Sequence, residues 1–165
     1  MAASEGVIAF AGVYSDKQDA LDDFEAIKMA HKESWIGMYG SAVFEKDAEG
    51  KVKILNTDAT TRGSGAKWGA VAGAVVGVIF PPSILVGAAT GAAAGAVVGN
   101  IVKGFGRGDI KDLAEKLEPG QAGVVLVAEA TLEEGAEKLM KRAKKIAKQQ
   151  VDMEAEDLKK QIDAM

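Results

Sequence analysis

The sequence predicts an α+β protein: a ferredoxin-like, split βαβ sheet with its helices on one face, interrupted by an inserted glycine-rich helical hairpin. Three observations carry that expectation. With its middle set aside, the chain reads strand, helix, strand, strand, helix, strand. The run from Trp68 to Val102 holds no charged residue. Around that run lie two glycine ladders in steps of four, Gly65-Gly69-Gly73-Gly77 and Gly87-Gly91-Gly95-Gly99, on either side of Pro81-Pro82. The expected organisation is a body formed by residues 1–62 and 104–165, with the hairpin at 63–103.

Gly6 to Tyr14 is a short apolar run with β-branched and aromatic residues, the pattern of a buried strand. Ser15 and Gln18 fit a capping box for the helix that follows. Its apolar stripe is Ala20, Leu21, Phe24, Ile27 and His31, with Asp22, Asp23, Glu25, Lys28 and Lys32 directed to water. Met38 to Glu45 and Lys51 to Asp58 read as antiparallel strands joined by a turn at Lys46 to Gly50. Past the hairpin, Gly104 to Gly108 forms an exit, and Asp109 is suited to cap a short helix through Leu113 to Leu117 that Pro119-Gly120 stops. Gly123 to Ala130 is the fourth strand. A helix from Leu132 passes through Ala136, Leu139 and Met140. A short edge strand is expected at 145–151, with Asp152 as N-cap of a final helix at 153–164.

A four-residue step keeps each ladder along one side of a helix. Each glycine costs about 1 kcal/mol relative to alanine inside a helix, so eight of them need a compensating interaction. Close backbone approach supplies it, as in small-xxx-small helix pairs. The ladders are therefore the expected surfaces for helix packing and homo-oligomerisation. Arms of about 15 to 20 residues reach about 22 to 30 Å, close to the roughly 30 Å hydrocarbon thickness of a bilayer. Arg62, Lys67, Lys103 and Arg107 flank the run and would hold both ends on the cytoplasmic face, with Trp68 at the interface. Phe80, Pro81, Pro82, Ile84 and Leu85 form the hairpin tip. A segment that leaves and re-enters one body crosses a membrane an even number of times. The expected partners are a second copy of the chain and membrane lipid, with the body in the cytoplasm. The alternatives are a soluble cytoplasmic assembly with hairpins buried between subunits, and a hairpin-lined pore.

Composition narrows the chemistry. A net charge of −4 and a pI near 5.1 argue against a nucleic-acid partner. The absence of cysteine removes disulfides, thiolate metal sites and cysteine nucleophiles. His31 is the single histidine, so neither a multi-histidine metal site nor a Ser-His-Asp triad can form within one chain. Gly63-Ser64-Gly65-Ala66-Lys67 and Gly104-Phe105-Gly106-Arg107-Gly108 lack the spacing and strand-loop-helix context of a phosphate loop. No catalytic residues, cofactor, metal or small-molecule ligand are expected, and the chain reads as non-enzymatic. Met1 to Glu5 lacks the basic segment of a secretory signal.

The strand Phe10 to Ser15, the glycine hairpin Gly65 to Gly104, the Leu117 to Val127 segment and the acidic stretch Asp152 to Ile162 resemble a bacterial family of predicted membrane proteins, classed only as a domain of unknown function. That resemblance implies a membrane location and supplies no catalytic residues.

Overall fold

The structure, a computed structural model, describes residues 6–33, 39–59, 72, 76, 79–80, 84–86, 108–129 and 138–154. It is α+β, as the sequence predicts. The elements are β1 (Gly6–Tyr14), α1 (Lys17–Lys32), β2 (Tyr39–Lys46), β3 (Val52–Ala59), β4 (Leu85–Val86), α2 (Asp109–Glu115), β5 (Ala122–Glu129) and β6 (Lys145–Glu154). The glycine ladders and the expected helix from Leu132 to Ala136 lie outside the described residues, as do Pro81 and Pro82.

One sheet unites the strands in the order β4-β3-β2-β5-β1-β6. All neighbours are antiparallel except β3 and β4. β1 and β2 are thus parallel and split by one strand, but that strand is β5. The ferredoxin-like order places the second hairpin strand, β3, in that position. Here β3 pairs along the far side of β2 instead. The centre of the sheet follows from composition: Val124 to Val127 is a continuous apolar run, and such a strand is stable only when both its faces are covered. All four side chains are buried.

Alternation divides the side chains between two faces. Ile8, Phe10, Tyr14, Tyr39, Val43, Val124 and Leu126 meet Ala20, Phe24, Ile27 and Ala30 of α1, together with Met140. The opposite face carries Ala9, Ala11, Ala42, Phe44, Val125 and Val127, also buried. There α2 lies close to β1 and β6, burying Ile110 and Ala114. The two helices therefore cover opposite faces, not the single face expected, because a strand apolar on both sides needs a layer on each.

Local chemistry shifts several boundaries. The N-cap of α1 is Asp16, not Ser15; its carboxylate accepts from the Asp19 amide at 2.9 Å, and Gln18 donates to Asp22 instead of reaching back. The β2–β3 turn is organised by Asp47, whose carboxylate accepts from the amides of Glu49 and Lys51, both at 2.9 Å. Gly50 takes the positive φ of +82° that this turn requires. Gly108 precedes α2 with no side-chain cap, so Asp109 is the first helical residue, where its charge favours the helix dipole. β6 runs to Glu154, so Asp152 lies within a strand and caps no helix. Residues 155–165 lie outside the described residues.

Candidate functional site

The face opposite α1 is where the uncharged run meets the body. Gly123 stands opposite Phe44 across the β2–β5 ladder. A Cβ at position 123 would collide with the Phe44 ring, so the missing side chain is what leaves room for this ring. Phe80 then packs edge-on against Phe44, with ring centroids 5.3 Å apart, a geometry the ring quadrupoles favour. Ala72, Val76 and Ile79 are helical and almost completely buried. Their i, i+4, i+7 spacing defines one helical stripe, and the Phe80 amide donates to the Val76 carbonyl at 3.2 Å.

Two further contacts fix this segment. Lys111 of α2 donates from Nζ to the Ile79 carbonyl at 2.5 Å, satisfying an acceptor near where the helical residues end. The Val52 amide donates to the Ile84 carbonyl at 2.7 Å, and β4 runs beside β3 with Val52 opposite Leu85. Phe80, Ile84 and Leu85, assigned from sequence to the hairpin tip, are thus in contact with the body. The other predicted positions lie outside the described residues: Gly65, Gly69, Gly73, Gly77, Gly87, Gly91, Gly95, Gly99, Pro81, Pro82, Arg62, Lys67, Trp68, Lys103 and Arg107. Among the described residues no helix is long and apolar enough to cross a membrane.

The α1 face holds a buried polar cluster that sequence reasoning missed. Asp23 is fully buried, although it was expected to face water. One carboxylate oxygen accepts from the Tyr14 hydroxyl at 3.0 Å and from the Arg142 amide at 2.9 Å. The other accepts from Arg142 Nη1 at 2.8 Å. Burial, then the Asp23 charge and its hydrogen bond, push the Tyr14 phenol well above the usual tyrosine range. The same carboxylate raises the Arg142 guanidinium above its ordinary value. A signal for this burial existed: Asp23 lies three residues after Ala20 and four before Ile27, on the stripe itself. The cluster ties β1, α1 and the turn before β6, and every charge in it has a partner, so its geometry is that of a structural brace.

An open groove of about 510 Å³ between α2 and β6 is lined by Asp109, Asp112, Leu113, Lys116, Lys145, Ile146 and Ala147. Its opposed charges converge on no common ligand chemistry. Among the described residues no group of three or more acidic or histidine side chains could hold a metal ion.

The fold and its contacts define a class: an α+β protein whose two-faced sheet is covered on one side by α1 and on the other by α2 and part of an uncharged, glycine-rich run. The family described as "Protein of unknown function (DUF1269)" matches residues 66–163, and the chain belongs to it. No curated protein and no solved structure matches the chain.

Proposed function

We propose that the chain is a non-enzymatic, self-assembling protein whose glycine-rich run covers its own sheet with one stripe and recruits further copies with another. The observation that carries this reading is the buried stripe Ala72, Val76 and Ile79. On a helix continued at the same pitch, Gly73 and Gly77 fall about 100° round from Ala72 and Val76. The glycine ladder is then a separate surface, suited to close helix approach. The ladder Gly87 to Gly99 supplies the second such surface, for its own hairpin or for another copy. The split βαβ unit of β1, α1 and β2, with one strand between its two parallel strands, is the part of the body that supports a ferredoxin-like relation.

Lipid attachment is the second reading. It rests on the uncharged stretch from Trp68 to Val102 and the flanking Arg62, Lys67, Lys103 and Arg107. A tip lodged in a bilayer must give up the Phe44 contact and the Val52 hydrogen bond, so a lipid-bound form is a released form. A hairpin-lined pore would require the same release. Fractionation without detergent, followed by light-scattering mass, separates the readings. A discrete particle larger than one chain in the soluble fraction supports self-assembly; a monomer overturns it. Recovery only in the membrane pellet, with detergent needed for extraction, supports lipid attachment.

A further inference from the structure

We propose that the lysine-rich turn before β6 is a docking patch for anionic lipid headgroups, set at the same end of the sheet as the uncharged run so that both meet one bilayer. Between Glu137 and Asp152 the chain carries Lys138, Lys141, Arg142, Lys144, Lys145 and Lys148 and no acid, although its net charge is −4. These lysines are all exposed. The apolar residues between them, Leu139, Met140, Ala143 and Ile146, pack into the α1-face core, so the turn is rooted in the core with its charges left outside. The Asp23 brace fixes it: Arg142 donates to Asp23 from both its amide and its guanidinium, and the Lys144 amide donates to the Val13 carbonyl at 2.7 Å. A turn held in this way loses little further freedom when it binds. Lys138, Lys141 and Lys144 carry the patch, because they make no ion pair among the described residues. Arg142 is committed to Asp22 and Asp23, Lys145 shares its groove with Asp109 and Asp112, and Lys148 has a partner of its own.

Strand register selects the occupant. Lys145 stands opposite Val13 on β1, Val13 opposite Gly123 on β5, and Gly123 opposite Phe44 on β2. Residues opposite one another across a ladder share a face. The start of β6 therefore lies on the row and face where Phe80 docks on Phe44, three strand spacings or about 14 Å away. The basic turn and residues 80 and 84–86 of the uncharged run thus gather at one end of the sheet. A bilayer uses both features, its phosphates attracting the lysines and its hydrocarbon accepting the run. A nucleic acid would use the lysines alone. The segment 138–148 offers it neither an uncommitted arginine nor an aromatic ring for base stacking. The choice of lipid rests on the lipid-attachment reading above, but the patch itself acts with the run still docked, because its lysines are already exposed.

The test is co-sedimentation of the full-length protein with two kinds of vesicle, phosphatidylcholine alone and equal parts phosphatidylcholine and phosphatidylserine. Lys138→Gln, Lys141→Gln and Lys144→Gln together should weaken binding to the anionic vesicles about a hundredfold, leave binding to the neutral ones unchanged and keep the wild-type circular dichroism spectrum. Lys28→Gln with Lys32→Gln, toward the C-terminal end of α1, should bind the anionic vesicles as wild type does. Equal binding of wild type to both vesicles, or a triple variant that binds as wild type, overturns the patch and leaves attachment through the run standing. Binding to anionic vesicles that is released completely at roughly 1 M salt, where the Debye length falls to about 3 Å, supports the patch and counts against an inserted run. Binding to neither vesicle overturns both. Tighter binding to duplex DNA than to the anionic vesicles, lost in the same triple variant, overturns the lipid assignment in favour of nucleic acid.

Discussion

Phe44 of β2 and Phe80 of the glycine-rich run meet edge to face with their centroids 5.3 Å apart, and both rings are almost fully buried. Through this pair an insertion that sequence treats as a separate module becomes part of the hydrophobic layer on one sheet face. Removing Phe80 should therefore behave as a core truncation. Phe80→Ala should cost about 3 to 5 kcal/mol, measured by urea unfolding. In a double-mutant cycle with Phe44→Ala, the coupling should be about 0.5 to 1.5 kcal/mol. A loss below about 0.5 kcal/mol, the range of surface substitutions, would mean that the run is not docked.

Gly123 sets the seat of the same ring. Gly123→Ala introduces a Cβ that would collide with the Phe44 ring and sit 3.0 Å from the Gly12 carbonyl. Because the carbonyl belongs to the adjacent strand, the ring must move, and overpacking of this kind costs about 1 to 3 kcal/mol. The variant should also expose Phe80, read as faster proteolysis between residues 63 and 103 in limited digestion. A variant as stable and as resistant as wild type would contradict this account.

The Asp23 brace gives an alkaline signature. Tyr14 donates to Asp23, and its phenol is raised above the usual value of 10.0. At pH values below about 10 the proton is held in both folded and unfolded chains, and the stabilisation is complete. Above that pH the unfolded chain loses the proton first, so it binds fewer protons than the folded one and stability falls as pH rises. In a Tyr39→Phe background, where Tyr14 is the remaining tyrosine, phenolate absorbance should appear only with unfolding. Tyr14→Phe should weaken the pH dependence above 10 and cost about 1.5 to 3 kcal/mol near neutrality, the range for a hydrogen bond to a charged group. Reversible titration of Tyr14 near 10 in the folded protein would contradict the arrangement.

Much of the body is legible in the sequence because its signals are local. The apolar runs around Phe10 and Val125, the charged turn at Asp47 to Gly50 and the stripe Ala20, Phe24, Ile27 place β1, β2, β3, α1 and β5 within one or two residues. The edge strand from residue 145 is also visible, though its length is not. Strand order is a different matter. Whether β3 or β5 enters between β1 and β2 is decided by tertiary pairing, and no short window of sequence carries it. Asp23 is hidden for the opposite reason: its position on the helical stripe points inward, while its charge points to water. A carboxylate can be buried when donors such as Tyr14 and Arg142 satisfy it, and Arg142 lies 119 positions away. The docking of Phe80 was hidden likewise, because an apolar residue at a hairpin tip suits a bilayer, a partner or its own sheet equally well.

Detergent-free light-scattering mass of Gly73→Leu and Gly91→Leu beside wild type tests assembly through the glycine ladders most directly. Leucine at either position blocks close helix approach while leaving the Ala72-Val76-Ile79 stripe in place. The expected result is a discrete wild-type assembly that falls to a smaller species in both variants, with the circular dichroism of the body retained. An unchanged mass in both would contradict it.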